Sequence, residues 1–135
     1  MSSFSNYTEN AVLNHIFMNS AFAFPTNLYV ALSTTDPTES GTGITEPSGG
    51  GYSRVTTSGA TWSTASTGTL NNSAEISFPT ATGDWAGGAN LTAFAIFDAS
   101  TGGNMIAYAD LTTARAVLNG DTAKFAVGAL VCTLD

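Results

Sequence analysis

Residues 85–111, WAGGANLTAFAIFDASTGGNMIAYADL, decide the fold. Two apolar runs, 91–97 and 105–111, flank Asp98-Ala-Ser-Thr-Gly-Gly-Asn104, a cluster of turn formers. Gly102-Gly103-Asn104 can supply the positive φ angles that a tight reversal needs. Neither run has helical spacing and both are short, so they predict paired antiparallel strands. LTAFAIF is apolar on both faces, the pattern of an interior strand covered on both sides. The second run places Met105, Ala107, Ala109 and Leu111 on one face, and Ile106, Tyr108 and Asp110 on the other. This hairpin is a scaffold, and no chemistry is visible in it.

Working outward, residues 114–118 and 122–125 are joined by Asn119-Gly120-Asp121. Asn-Gly is a strong hairpin signal, so a second hairpin is expected there. Residues 129–134, ALVCTL, read as a last strand. Upstream, 27–32 (NLYVAL), 52–57 (YSRVTT) and 75–78 (EISF, stopped by Pro79) read as strands, with a weaker stretch around Trp62. Residues 33–51 show no apolar period and carry Asp36, Glu39, Glu46, two prolines and many glycines, which predicts a long exposed loop. Residues 7–22 form the one expected helix, with Asn6 and Glu9 as a capping arrangement and Pro25 closing the segment. Its stripe of Val12, Leu13, Ile16, Phe17 and Ala21, with Tyr7 above, can pack on the sheet or dock on a partner chain. No repeat of solenoid length is present. The fold class expected is mainly β: an antiparallel β-sandwich or small barrel of about 7–8 strands with one N-terminal α-helix. Residues 1–135 are expected to form a single domain, with the β-domain spanning 27–135.

Hydrophobic residues make up 43% of the 135-residue chain and charged residues only 10%, against roughly 25% in ordinary soluble domains. Ser, Thr, Gly, Ala and Asn solvate it instead, a composition suited to a surface that touches other protein, so self-association as a homo-oligomer is expected. Three basic residues, Arg54, Arg115 and Lys124, against ten acids leave a net charge of −7. Phosphate neutralisation needs clustered Lys and Arg, so neither direct nucleic-acid binding nor an anionic membrane surface is expected as a partner. No run has transmembrane length, and the N-terminus lacks the pattern of a signal peptide, so synthesis in a reducing cytoplasm is expected. Three glycosylation sequons are then idle.

Catalysis finds little to work with. His15 is the one histidine, with no nucleophile turn near it, and Cys132 sits in an apolar run as a small hydrophobe. One His and one Cys make no zinc site. The 36–46 acids lack a calcium-loop pattern, and Gly49-Gly50-Gly51 is not followed by the Lys-Ser/Thr of a phosphate loop. No enzyme activity, metal or cofactor is expected.

Six motifs in order, SNYTENAVLNHIF, NLYVALSTTDPT, GGGYSRV, ISFPTATGDWA, FAIFDASTGGNMIAYADLT and NGDTAKFAVGALVCTLD, span nearly the whole chain. The chain resembles a family of small phage virion structural proteins, often labelled tail fibre or minor structural proteins, whose related β-domains occur as capsid decoration (cement) proteins. It departs from the family in GGANLT (87–92), which is longer than expected. The resemblance implies a virion location and no catalytic residues. The first expectation is a capsid decoration protein on the capsid surface, with the major capsid protein as partner, stabilising the assembled head by mass action. The alternative is a tail fibre or baseplate component contacting the host, with Trp62 or Trp85 placed for sugar binding. A small carbohydrate-active protein ranks third. The helix, the 33–51 loop and the 83–90 loop are the expected contact surfaces, with Tyr7, Phe17, Tyr52 and Trp85 as interface anchors, each also able to pack in the core.

Overall fold

The computed structural model describes residues 3–134; Met1, Ser2 and Asp135 of the expected 1–135 domain lie outside the described residues. The described chain is mainly β, with nine strands in antiparallel pairings and one α-helix. Five strands form an open sheet in the order β1 (Ser3–Phe4), β7 (Met105–Arg115), β6 (Leu91–Phe97), β2 (Leu28–Ser33) and β3 (Val55–Thr57). Two short pairs accompany it: β4 (Thr69–Asn71) with β9 (Val131–Thr133), and β5 (Ile76–Ser77) with β8 (Lys124–Phe125). The arrangement is sandwich-like, with no closed barrel among the described residues.

The β6–β7 hairpin sits in the middle of the large sheet, as its sequence predicts. Its turn is held by Asp98, whose carboxylate accepts from the Asn104 backbone N–H at 2.7 Å and its side-chain amide at 2.9 Å. Gly102 and Gly103 both have positive φ there. A Cβ on Gly103 would meet Asp98 Oδ1 at 2.5 Å, so the turn admits no side chain at that position. β6 pairs with β2 on one side and β7 on the other, and its two faces meet two separate apolar clusters. Phe94 and Ile96, with Val30 and Leu32 of β2, face the larger core of Ile76, Phe78, Trp85, Val117 and Leu130. Ala95 and Phe97, with Ala31 and Met105, face a thinner layer closed by Tyr29, Ile44 and Tyr108. The alanines on that face let the 33–51 loop lie close to the sheet.

Two expectations change. Residues 114–118 and 122–125 are not a hairpin. β7 runs on to Arg115 through a bulge, with Ala93 opposite Asp110 but Leu91 opposite Arg115. The Asn-Gly turn forms, closed by the Asp121 N–H on the Leu118 carbonyl at 2.9 Å, but only Gly120 of its central pair has positive φ. A hairpin turn of the type favoured by Asn-Gly needs positive φ at both central residues, and this geometry splays the flanking segments instead. The turn docks sideways: Gly120 N–H donates to the Ala81 carbonyl and Asn119 N–H to Asp84 Oδ1, at 2.8 and 2.9 Å. β8 accordingly pairs with β5.

The helix α1 covers Asn6–Phe17 rather than 7–22, and its N-cap is Ser5 rather than Asn6. Asn19, at φ 53, takes the left-handed conformation that stops a helix, well before Pro25. The 33–51 loop is the long loop expected, with most of its residues exposed, and it is pinned by hydrogen bonds. Ser33 Oγ accepts from the backbone N–H groups of Thr35 and Thr45, and the Thr34 N–H donates to the Thr45 carbonyl. It covers the thin face of the sheet.

Candidate interaction surface

The expected anchors separate into two pairs. Trp85 is fully buried at the start of a 3-10 turn (Trp85–Gly88). Its Nε1 donates to the Gly50 carbonyl at 2.9 Å, and its ring meets Tyr52 and Phe78 edge-on at 5.1 and 6.1 Å. Tyr52 stacks on Phe78 and packs against the larger core. Both residues therefore hold the fold together, and the indole of Trp85 offers no face to a sugar. Trp62 is half-buried, with its indole N–H on Thr57 Oγ1 at 3.1 Å.

Tyr52 also belongs to a polar latch that sequence spacing does not reveal. Arg54 makes a two-pronged contact with Glu46, Nε to Oε1 at 3.0 Å and Nη2 to Oε2 at 2.8 Å. Its Nη1 donates to the carbonyls of Ala99 and Gly102, and its guanidinium lies over the Phe97 ring at 3.8 Å. The Tyr52 hydroxyl donates to Glu46 Oε1 at 2.7 Å and accepts from the Leu32 N–H at 3.1 Å. Burial pushes Glu46 up, but the hydrogen bonds of Arg54 and Tyr52 and the Arg54 charge outweigh it and hold the carboxyl below its usual 4.5. Burial and the bond to Glu46 push the Tyr52 phenol far above its usual range. The latch ties the 33–51 loop to the β6–β7 turn, and its role is architectural.

Tyr7 and Phe17 lie on the surface. The first turn of α1 is anchored: Ser5 Oγ caps the Thr8 N–H and donates to the Met105 carbonyl, and Thr8 Oγ1 donates to the Ile106 carbonyl at 2.8 Å. Asn6 N–H reaches the Glu39 carbonyl at 2.8 Å. Thr8 is the one buried residue of the helix, and every residue from Leu13 to Phe17 is exposed. After Asn19 the chain doubles back, with the Phe22 N–H on His15 Nδ1 and the Phe22 ring between Tyr7 and Phe24. The outcome is an arm, fixed at its base, that presents Leu13, Ile16, Phe17, Met18 and Phe24 at 53, 64, 80, 73 and 73% exposure. Residues 10–35 contain no Asp, Glu, Lys or Arg. That absence, on a helix whose stripe can dock outward as well as inward, is the sequence signal for the arm.

A concavity of about 660 Å³ lies where the β7 bulge meets residues 121–131. Leu32, Leu91, Phe94 and Leu130 contribute apolar lining, and Asp110, Arg115, Asp121 and Lys124 line it as well. Among the described residues no group of three His, Cys, Asp or Glu is placed to hold a metal ion.

A family model described as podophage GP4 fiber I protein gp80 matches residues 3–133. The chain belongs to this family and is a phage virion structural protein. No curated protein matches it.

Proposed function

We propose that the chain is a non-catalytic component of a virion fibre, and that the apolar arm is its assembly contact. The observation that carries this reading is the match to a fibre protein family over nearly the whole chain. The geometry supports it. A sheet covered on both faces and locked by Arg54 and Glu46 gives a stiff body, and the arm gives that body an adhesive surface of the kind that marks protein–protein contacts. The family's description favours the fibre over capsid decoration and the major capsid protein as the partner.

Copy number per particle tests the assignment. Purified virions would be quantified by mass spectrometry against the major capsid protein, together with separated head and tail fractions. A small number of copies, recovered with tails, is the expected result. A ratio to the major capsid protein near one, or a simple fraction of one, would move the protein to the capsid surface. Its absence from virions would remove the structural role altogether.

A further inference from the structure

We infer that the concavity between β7, β8 and β9 is a binding site for an uncharged saccharide. No residue of α1 or of the segment that follows it lines this space, so the site belongs to the β-body and is independent of the arm.

Strand pairing creates the concavity. Between the Ala93–Asp110 and Leu91–Arg115 pairs, β7 has residues 111–114 where β6 has only Thr92, so β7 bows away from its neighbour. Across from it, β8 pairs with β5 and β9 with β4, but β8 and β9 do not pair with each other, which leaves the second layer open between them. The resulting volume of about 660 Å³ lies within the roughly 300–1,000 Å³ of sites that hold small ligands.

The polar lining is balanced. Of the three basic side chains, Arg54 is spent in the latch, and the other two, Arg115 and Lys124, both line this space with the acids Asp110 and Asp121. Among the described residues no ion pair joins either base to either acid. Lys124 meets Glu75 at 3.5 Å, and Arg115 has neither a hydrogen bond nor an ion pair. Asp121 holds the Leu118 N–H through Oδ2, which leaves Oδ1 for a ligand. A carboxylate only accepts hydrogen bonds, and guanidinium and ammonium groups only donate them. A hydroxyl does both, so a ligand with several hydroxyls can bridge the two kinds of group while carrying no charge itself. Half-buried Leu111 and Phe125 add an apolar wall, which suits the C–H face of a sugar ring.

Other ligand classes match this lining less well. An anion would meet as many acids as bases, on a chain whose net charge is −7. An apolar ligand would strip water from four charged groups and return no hydrogen bond to them. Among the described residues no group of three acids, histidines or cysteines is placed for a metal. The aromatic wall is Phe125, since neither Trp62 nor Trp85 lines the space.

The full chain, isotope-labelled for amide NMR, would be titrated with glucose, galactose, mannose, N-acetylglucosamine, lactose, maltose and chitobiose to about 20 mM, enough to detect a millimolar site. At least one of them is expected to shift amide signals of residues 110–117 and 121–131, equally at low and high salt, because the ligand is uncharged. Asp110→Ala and Arg115→Ala change exposed side chains and should leave the melting temperature unaltered. Each should weaken that sugar by about tenfold or more, the loss expected for a hydrogen bond to a charged group. Phe17→Ala, on the arm, should bind like the wild type. Glucuronate and inorganic phosphate serve as anionic probes. Shifts from no neutral sugar, shifts from the anions alone, shifts confined to other residues, or variants that bind as well as the wild type would each overturn the inference. The virion role is read separately: a chain recovered with tails that binds none of these sugars ends the saccharide site and leaves the fibre reading standing. A sugar-binding chain missing from particles would do the reverse.

Discussion

Replacing Arg54 with alanine would cut a side chain that joins the 33–51 loop, the β6–β7 turn and the thin face of the sheet. Its side chain is only 6% exposed and its partner Glu46 is 24% exposed, so the pair is shielded without being fully dry. The change removes both prongs on Glu46, the bonds to the Ala99 and Gly102 carbonyls, and the cation over Phe97. Breaking a buried pair costs about 3–5 kcal/mol, and the partial exposure of Glu46 places this case near the lower end, ~3 kcal/mol. For a domain of this size that corresponds to a fall of roughly 10 °C in melting temperature. Arg54→Lys keeps the charge but not the planar fork, and should recover only part of the loss. Acid provides an independent check. Glu46 is held below its usual 4.5 in the folded chain, so its contribution is complete above that value and disappears as pH falls through the folded pKa. The gap between wild type and Arg54→Ala must therefore shrink on acidification, because protonated Glu46 no longer needs the cation. Urea unfolding followed by tryptophan fluorescence at neutral pH and near pH 3.5 reads both quantities. A loss under 1 kcal/mol at neutral pH, or a gap that widens in acid, would refute the assignment of Arg54 as the latch.

Further consequences can be checked on the same purified chain. Trp85→Ala should cost about 3–5 kcal/mol by opening a cavity beside Tyr52 and Phe78, whereas Phe17→Ala should stay within about 0.5 kcal/mol of wild type. Equal losses from the two would undo the division of the anchors into core and surface. Gly50→Ala places a Cβ 2.7 Å from the Gly83 carbonyl oxygen and 2.8 Å from Trp85 Cδ1, at φ +58. It should cost more than about 2 kcal/mol, while Gly102→Ala, at the same φ in open space, should cost only the ~1 kcal/mol of left-handed strain; thermal melts would show the gap. Alkaline titration tests Tyr52. Its pKa is raised on folding, so its contribution is intact below pH 10 and is lost progressively above it, a loss that Tyr52→Phe should abolish.

The β6–β7 hairpin was legible because its signals are local and agree: two apolar runs, glycines where φ must be positive, and an Asp-Asn pair to close the turn. Asn119-Gly120 carried an equally local signal and misled, because the partner of each flanking segment is chosen by distant chain. Ala81 and Asp84 take the turn's amides, and β5 takes β8. The sequence pattern places the end of α1 too late because Asn19 outranks Pro25 as a stop and the apolar residues 21–24 share the composition of a helix face. A single aromatic side chain has the same sequence signature whether it faces core or solvent, so residue type does not separate Tyr52 and Trp85 from Tyr7 and Phe17.

The β class, the positions of most strands along the chain, the interior place of residues 91–97 and the family resemblance are all written in the sequence. These follow from residue periodicity and turn chemistry within short windows. Tertiary structure alone decided which apolar residues stay in water. Whether Leu13 and Phe17 are core or surface depends on what lies across from them, and the anchored first turn of α1 carries them away from the sheet. It also decided that Arg54 should meet Glu46 and the β6–β7 turn, a contact between segments whose separation in sequence carries no pattern and whose proximity exists only once the sheet has formed.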